Sequence, residues 1–122
     1  ENFYEKLKRD EKKCLLGLVC INNAQRYGSV LINSEGVITR FQEKDMQRTG
    51  ASMINSGVLK LNSSFLSDYE CKNLSLETDI LPNLVERKIL FGIPLAGYFI
   101  DVGIPEAYYS FCKRMADLVH DD

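Results

Sequence analysis

Cys14-Leu15-Leu16-Gly17-Leu18-Val19-Cys20-Ile21 is the stretch on which the fold turns. Side chains of an extended chain alternate between two faces, so a half-exposed strand alternates apolar with polar residues. This stretch has no polar residue on either face. That is the pattern of a strand in the interior of a sheet covered on both sides, and it points to an α/β protein. It is strand-sized, and no apolar run in the chain approaches the roughly 20 residues that a membrane-crossing helix needs.

Upstream, Asn2 to Lys12 has Phe3 and Leu7 on one side of a helix and charges around the rest. Its Lys6, Lys8, Arg9, Lys12 and Lys13 alternate with Glu5, Asp10 and Glu11 and read as a solvated face. Downstream, Asn22 to Gly28 is a polar loop. Ser29–Asn33 and Val37–Glu43 are two strands joined by Ser34-Glu35-Gly36, a hairpin signal. Lys44 to Gly50 is a polar loop. Ser52–Leu61 is a strand interrupted at Asn55-Ser56-Gly57, where the glycine marks a close backbone approach.

Asn62 and Ser63 cap a short helix reaching Tyr69, and Ser75 caps a longer one through Arg87. Pro82 lies inside the second helix and should kink or split it. Leu90–Pro94 and Gly97–Val102 are short strands. Pro105 opens the last helix, whose Tyr108, Phe111, Met115 and Leu118 recur at helical spacing as an apolar stripe for the core. There is no repeat, low-complexity tract or linker, and 122 residues make a single domain spanning 1–122.

A hydrophobic share of 45% and a charged share of 26% are ordinary for a soluble globular protein. The net charge of −2 offers no basic face for a nucleic acid. The N-terminus lacks a secretory pattern, and neither secretion nor a membrane partner is expected. Cys14, Cys20, Cys71 and Cys112 form no C-x-x-C, and the only histidine is His120, which argues against a zinc site. They read as free thiols of a cytoplasmic protein.

Three features carry possible chemistry. Glu43-Lys44, at a strand end, pairs an acceptor for sugar hydroxyls with a point charge for phosphate, although neighbouring Glu and Lys are common on surfaces. Asp101 leaves an apolar strand and enters a turn before a helix. It suits either a hard cation held by one or two carboxylates plus substrate phosphates, or a plain turn cap. Glu77 and Asp79 in Ser75-Leu-Glu-Thr-Asp-Ile-Leu-Pro82 are two apart and so no paired dyad. They complement a helix start, and either one could reach a site.

Taken in order, Arg26-Tyr27-Gly28-x-Val30, Gly36-Val37-Ile38-x-x-Phe41-x-Glu43-Lys44, Ile54-Asn55-Ser56-Gly57-Val58, Ser75-Leu76-Glu77-x-Asp79-Ile80-Leu81-Pro82 and Phe99-Ile100-Asp101-Val102-Gly103-Ile104-Pro105-Glu106-x-Tyr108 resemble the second half of the sugar-1-phosphate nucleotidyltransferase family. Each fragment is weak alone, and their shared order carries the resemblance. The wording around Asp101, with Ile104 where many relatives have Thr, is nearest the heptose-1-phosphate guanylyltransferase branch.

The resemblance implies part of a Rossmann-like three-layer α/β/α fold around a mixed sheet. It implies transfer of a nucleotide from an NTP to a sugar 1-phosphate with Mg²⁺, a step in making precursors such as those of lipopolysaccharide or capsule. It also implies roles. Glu43 would accept from sugar hydroxyls and Lys44 would contact the sugar phosphate. Gly28, Asn55, Ser56 and Gly57 would border the sugar, with Glu77 nearby, and Asp101 would be one of two Mg²⁺-binding aspartates.

The family's opening Gly-rich loop, a downstream Lys-Pro and the other metal aspartate are not in this sequence, whose Gly36, Gly50 and Gly57 are isolated. The chain therefore reads as the sugar-side half, catalytically silent by itself. It is also expected to self-associate through the edge of the Cys14–Ile21 strand, left open without its neighbours. The competing reading is a truncated, non-catalytic relative that binds a phosphosugar or pairs with a partner chain.

Overall fold

A computed structural model describes residues 5, 8, 14–22, 24–47, 50–69 and 73–120. Strand β1, Cys14–Ile21, is the middle of a mixed three-stranded sheet. It pairs antiparallel with β4, Ser52–Lys60, and parallel with β5, Leu90–Pro94. A separate hairpin pairs β2, Ser29–Ile32, with β3, Ile38–Gln42.

The two-faced apolar pattern of β1 has the expected consequence. Cys14, Leu16 and Leu18 enter one cluster with Val30, Ile38, Leu81, Leu84 and Leu90. On the opposite face, Val19 meets Ile54, flanked by Ile21, Tyr27 and Phe99. The strand's end departs from the pattern, since Cys20 is exposed.

Both edges of β1 are paired within the chain, which overturns the expectation of an open β1 edge as the route to self-association. Strands distant in sequence, β4 and β5, supply the pairing that no local pattern could reveal.

Local signals fare well. In the hairpin turn Asn33 Oδ1 accepts from the backbone N–H groups of Glu35 and Val37, both at 3.0 Å. Gly36 there takes φ of +83°, a conformation open to glycine. Asn62 caps helix α1, Ser63–Leu66, accepting from Ser64 N–H. Pro82 divides the next helical segment as expected. A π-turn, Leu76–Ile80, gives way to helix α2, Leu81–Glu86, with the proline in the first turn where a missing N–H costs nothing. Tyr69 Oη donates to Asn83 Oδ1 at 2.8 Å, tying the end of the α1 segment to α2.

Two expectations about the C-terminal part are corrected. Gly97–Val102 is not a strand. Gly97 sits at φ of +124°, Phe99 turns edge-on to Tyr27 with centroids 6.3 Å apart, and Asp101 enters a turn. The last helix, α3, Pro105–His120, forms where expected but buries no residue. Tyr108, Met115 and Leu118, expected in the core, are exposed, and Phe111 is half-buried. Helical spacing establishes an apolar face, whereas burial needs an element to cover it. Arg114 over the Tyr98 ring, 3.8 Å from the centroid, ties this helix to the preceding segment.

Cys14, Cys20 and Cys112 are free thiols, while Cys71 and most of Asn2–Lys12 lie outside the described residues. Among the described residues no helix is long and apolar enough to cross a membrane.

Candidate functional site

The β2–β3 hairpin, the bulged part of β4 and the π-turn running into α2 line a half-open cavity of about 610 Å³. That volume lies within the range of small-ligand sites, roughly 300–1,000 Å³. Gly28, Glu43, Asn55 and Glu77, four of the residues singled out in the sequence, meet on its walls. They lie far apart in the chain, and each arrives by a different local device.

Gly28 immediately precedes β2, and a Cβ there would stand 2.8 Å from the backbone carbonyl oxygen of Gln42. Only glycine allows the hairpin's open end to close so tightly. Glu43 follows directly from the end of β3.

Asn55 opens a bulge. The pairing steps from Leu16 with Leu59 to Leu18 with Asn55, so β4 spends extra residues opposite Gly17. Asn55 Oδ1 accepts from Gly57 N–H at 2.8 Å, and Gly57 takes φ of +86° with open space where a Cβ would stand, so it serves the bulge's backbone conformation and not the close backbone approach expected of it. Ser56 points elsewhere. Its Oγ lies over Gly17, 2.6 Å from where a Cβ would be, so that glycine keeps room for it.

The acidic pair resolves into two roles. Asp79 Oδ2 accepts from Ser75 N–H at 2.7 Å, while Ser75 Oγ accepts from Thr78 N–H at 3.2 Å. This reciprocal cap satisfies donors that a helix start otherwise leaves orphaned. Glu77 has no such bond and lines the cavity.

Lys44, Ser56, Gly57 and Asp101 are not on the cavity wall. Lys44 is exposed, next to Glu43. Asp101 is also exposed, and its Oδ1 accepts from Gly103 N–H at 2.9 Å, the turn-capping contact that was one of its two readings. Mg²⁺ takes one or two carboxylates and fills its octahedron with water and phosphate oxygens. Asp101 fits as one such ligand, its Oδ2 being outside the turn bond. Among the described residues no group of three or more His, Cys, Asp or Glu side chains could hold a metal on its own.

The wall includes residues that the sequence did not single out, among them Ser29, Thr39, Arg40, Gln42 and Glu86. The hairpin register was the available signal for Gln42, since the turn aligns it opposite Ser29. Glu86 had none, because the side a helix turns toward a cavity depends on how it docks. With Glu43, Glu77 and Glu86 against Arg40, the ionisable groups of the wall are mostly carboxylates. Such a surface accepts hydrogen bonds from a neutral polyol and repels an anion from its interior. A phosphorylated polyol would seat its hydroxyls inside and its phosphate toward the rim.

Known proteins share this architecture. The chain is 34% identical over 107 residues to the D-glycero-alpha-D-manno-heptose 1-phosphate guanylyltransferase of Campylobacter jejuni, covering 87% of this chain and 47% of that protein. It is 37% identical over 92 residues to a mannose-1-phosphate guanyltransferase of Schizosaccharomyces pombe, covering 74% of this chain and 25% of that one. Crystal structures of HddC from Yersinia pseudotuberculosis, one of them complexed with GMP-PN, superpose with a TM-score of 0.78 at 28% and 29% identity. Each superposition covers 93% of this chain and 49% of the other, so this chain spans about half the length of that relative. The mixed sheet, the walls of the cavity and these relatives agree with a match of residues 1–117 to the nucleotidyl transferase family, and the chain belongs to that family.

Proposed function

We propose that this chain carries the sugar-phosphate side of a sugar-1-phosphate nucleotidyltransferase, of the kind that joins a heptose or mannose 1-phosphate to a guanosine nucleotide. The observation that carries this reading is the convergence of Gly28, Glu43, Asn55 and Glu77 on one carboxylate-rich cavity. Glu43 and Glu77 accept from sugar hydroxyls, and Gly28 and Asn55 border the ring. Lys44, beside Glu43 and outside the wall, takes the phosphate at the rim. Ser56 and Gly57 act through the bulge that aims Asn55.

In the reaction an oxygen of the sugar phosphate attacks the α-phosphorus of the NTP. The bond from that phosphorus to the bridging oxygen breaks, and pyrophosphate leaves. No protein nucleophile takes part, so the chain contributes orientation and charge complementarity. Asp101 would hold Mg²⁺ together with substrate phosphates, and the ion would supply neutralisation of phosphate charge. The 122-residue chain, without a Gly-rich nucleotide loop in its sequence, binds the sugar phosphate and does not turn it over.

Calorimetric titration of the chain with mannose 1-phosphate and with D-glycero-D-manno-heptose 1-phosphate tests the binding claim, with inorganic phosphate as control. Pyrophosphate release from each of the four NTPs, measured with the protein at its natural length, tests the reaction. Binding of a sugar 1-phosphate above the phosphate control, with release strongest from GTP, is expected. No binding and no release with any pair would overturn the proposal.

A further inference from the structure

Ser29 stands out as a buried polar side chain, 4% exposed, at the start of β2 on the cavity wall. A buried hydroxyl needs a partner, and Ser29 Oγ donates to Gln42 Oε1 at 3.0 Å. The two residues are direct cross-strand partners in the hairpin register. The corner is tightened by the close approach of Gly28 to the Gln42 carbonyl. Gln42 therefore cannot swing freely. It is half-buried, lines the cavity and immediately precedes Glu43.

An amide side chain has one accepting oxygen and two N–H donors. Ser29 occupies the oxygen, which assigns the nitrogen to the other side. Among the described residues that nitrogen has no partner. A half-buried donor pair on the wall of a cavity rich in carboxylates calls for an accepting atom from a ligand. A sugar hydroxyl fits best, because it can accept from Gln42 while donating to a neighbouring carboxylate.

We propose that Gln42 determines specificity in this cavity: with its carbonyl oxygen held by Ser29, its amide nitrogen donates to a hydroxyl oxygen of the bound sugar 1-phosphate. Ser29 is then a positioning residue that holds the amide in this orientation. The inference rests on the sugar 1-phosphate reading above and adds to it a side-chain donor to a sugar hydroxyl, beside the accepting Glu43.

The test titrates the 122-residue chain with mannose 1-phosphate and with its 2-, 3-, 4- and 6-deoxy analogues. Three variants are compared with the native chain: Gln42→Met, which removes both donors at similar length; Gln42→Glu, which can still accept from Ser29 but has no amide donor; and Ser29→Ala, which releases the amide. Backbone amide spectra report whether each variant is folded.

Gln42→Met should weaken mannose 1-phosphate binding roughly three- to tenfold, the worth of one neutral hydrogen bond. It should leave the affinity for one deoxy analogue unchanged, because that analogue lacks the hydroxyl concerned. Ser29→Ala should give a smaller loss on the same hydroxyl. Gln42→Glu should bind no better than Gln42→Met, and it carries the test if the methionine variant does not fold. Equal weakening toward every analogue, or native affinity in either Gln42 variant, would overturn the role of Gln42 and leave the sugar reading standing. Failure of the native chain to bind mannose 1-phosphate at all would remove the sugar reading, and this inference with it.

Discussion

Glu77 and Asp79 are chemically alike and two residues apart, yet the structure predicts opposite consequences for their substitution. Asp79→Ala deletes one charge-assisted bond, the 2.7 Å contact with Ser75 N–H, and leaves the Ser75 to Thr78 bond in place. The freed N–H is at an exposed turn, so water replaces the lost acceptor and the cost stays near that of a typical cap, about 1 kcal/mol. An unfolding entropy of about 2.1 cal/mol/K per residue, over 122 residues, converts this to a fall in Tm of about 4 °C.

Glu77→Gln keeps size and shape, and the side chain it replaces is exposed, with no bond to the helix cap. Its Tm should stay within about 1 °C of native. Binding of mannose 1-phosphate should instead fall by roughly tenfold or more, because a hydrogen bond to a charged acceptor is worth about 1.5–3 kcal/mol. Asp79→Ala should retain the larger part of that affinity. Thermal unfolding by circular dichroism and calorimetric titration on the same preparations separate the two effects. A Tm loss in Glu77→Gln with none in Asp79→Ala would refute the division of roles.

Gly28→Ala would drive a methyl group to 2.8 Å from the Gln42 carbonyl oxygen, and a backbone atom yields less readily than a side-chain tip. The expected cost is about 1–3 kcal/mol in urea unfolding, accompanied by weaker sugar-phosphate binding, and unchanged values for both would refute it. Leu84→Ala, at a fully buried position between α2 and the sheet, should cost about 2–5 kcal/mol by the same assay without a new contact to the cavity. Asp101→Asn preserves an oxygen to accept from Gly103 N–H, so Tm should hold. In the protein at its natural length, turnover across a Mg²⁺ titration should drop by at least tenfold, and wild-type rates throughout would leave Asp101 as a turn cap alone.

Much of the fold was legible because the deciding interactions join residues close in sequence. The burial of Cys14–Leu18 on both faces followed from a run with no polar side to turn outward. The Asn33 turn, the Asn62 and Ser75 caps and the break at Pro82 are bonds, or missing bonds, spanning a few residues. Gly28, Glu43, Asn55 and Glu77 are legible too, through a resemblance that orders them along the chain.

Tertiary structure alone decided how these pieces face one another. Alternation could say that β1 has two apolar faces but not that β4 and β5 close both its edges. Helical spacing gave α3 its stripe, yet nothing local could say whether a neighbour covers it, and among the described residues none buries it. Which of two nearby acids caps a helix and which faces a cavity depends on the rotation of the π-turn against the hairpin. The same rotation brings Glu86 to the wall, and the hairpin register sets Gln42 opposite the Ser29 that holds its amide. Propensity, caps and turns act along the chain, whereas a cavity forms between elements, where the packing of distant side chains determines which residues meet.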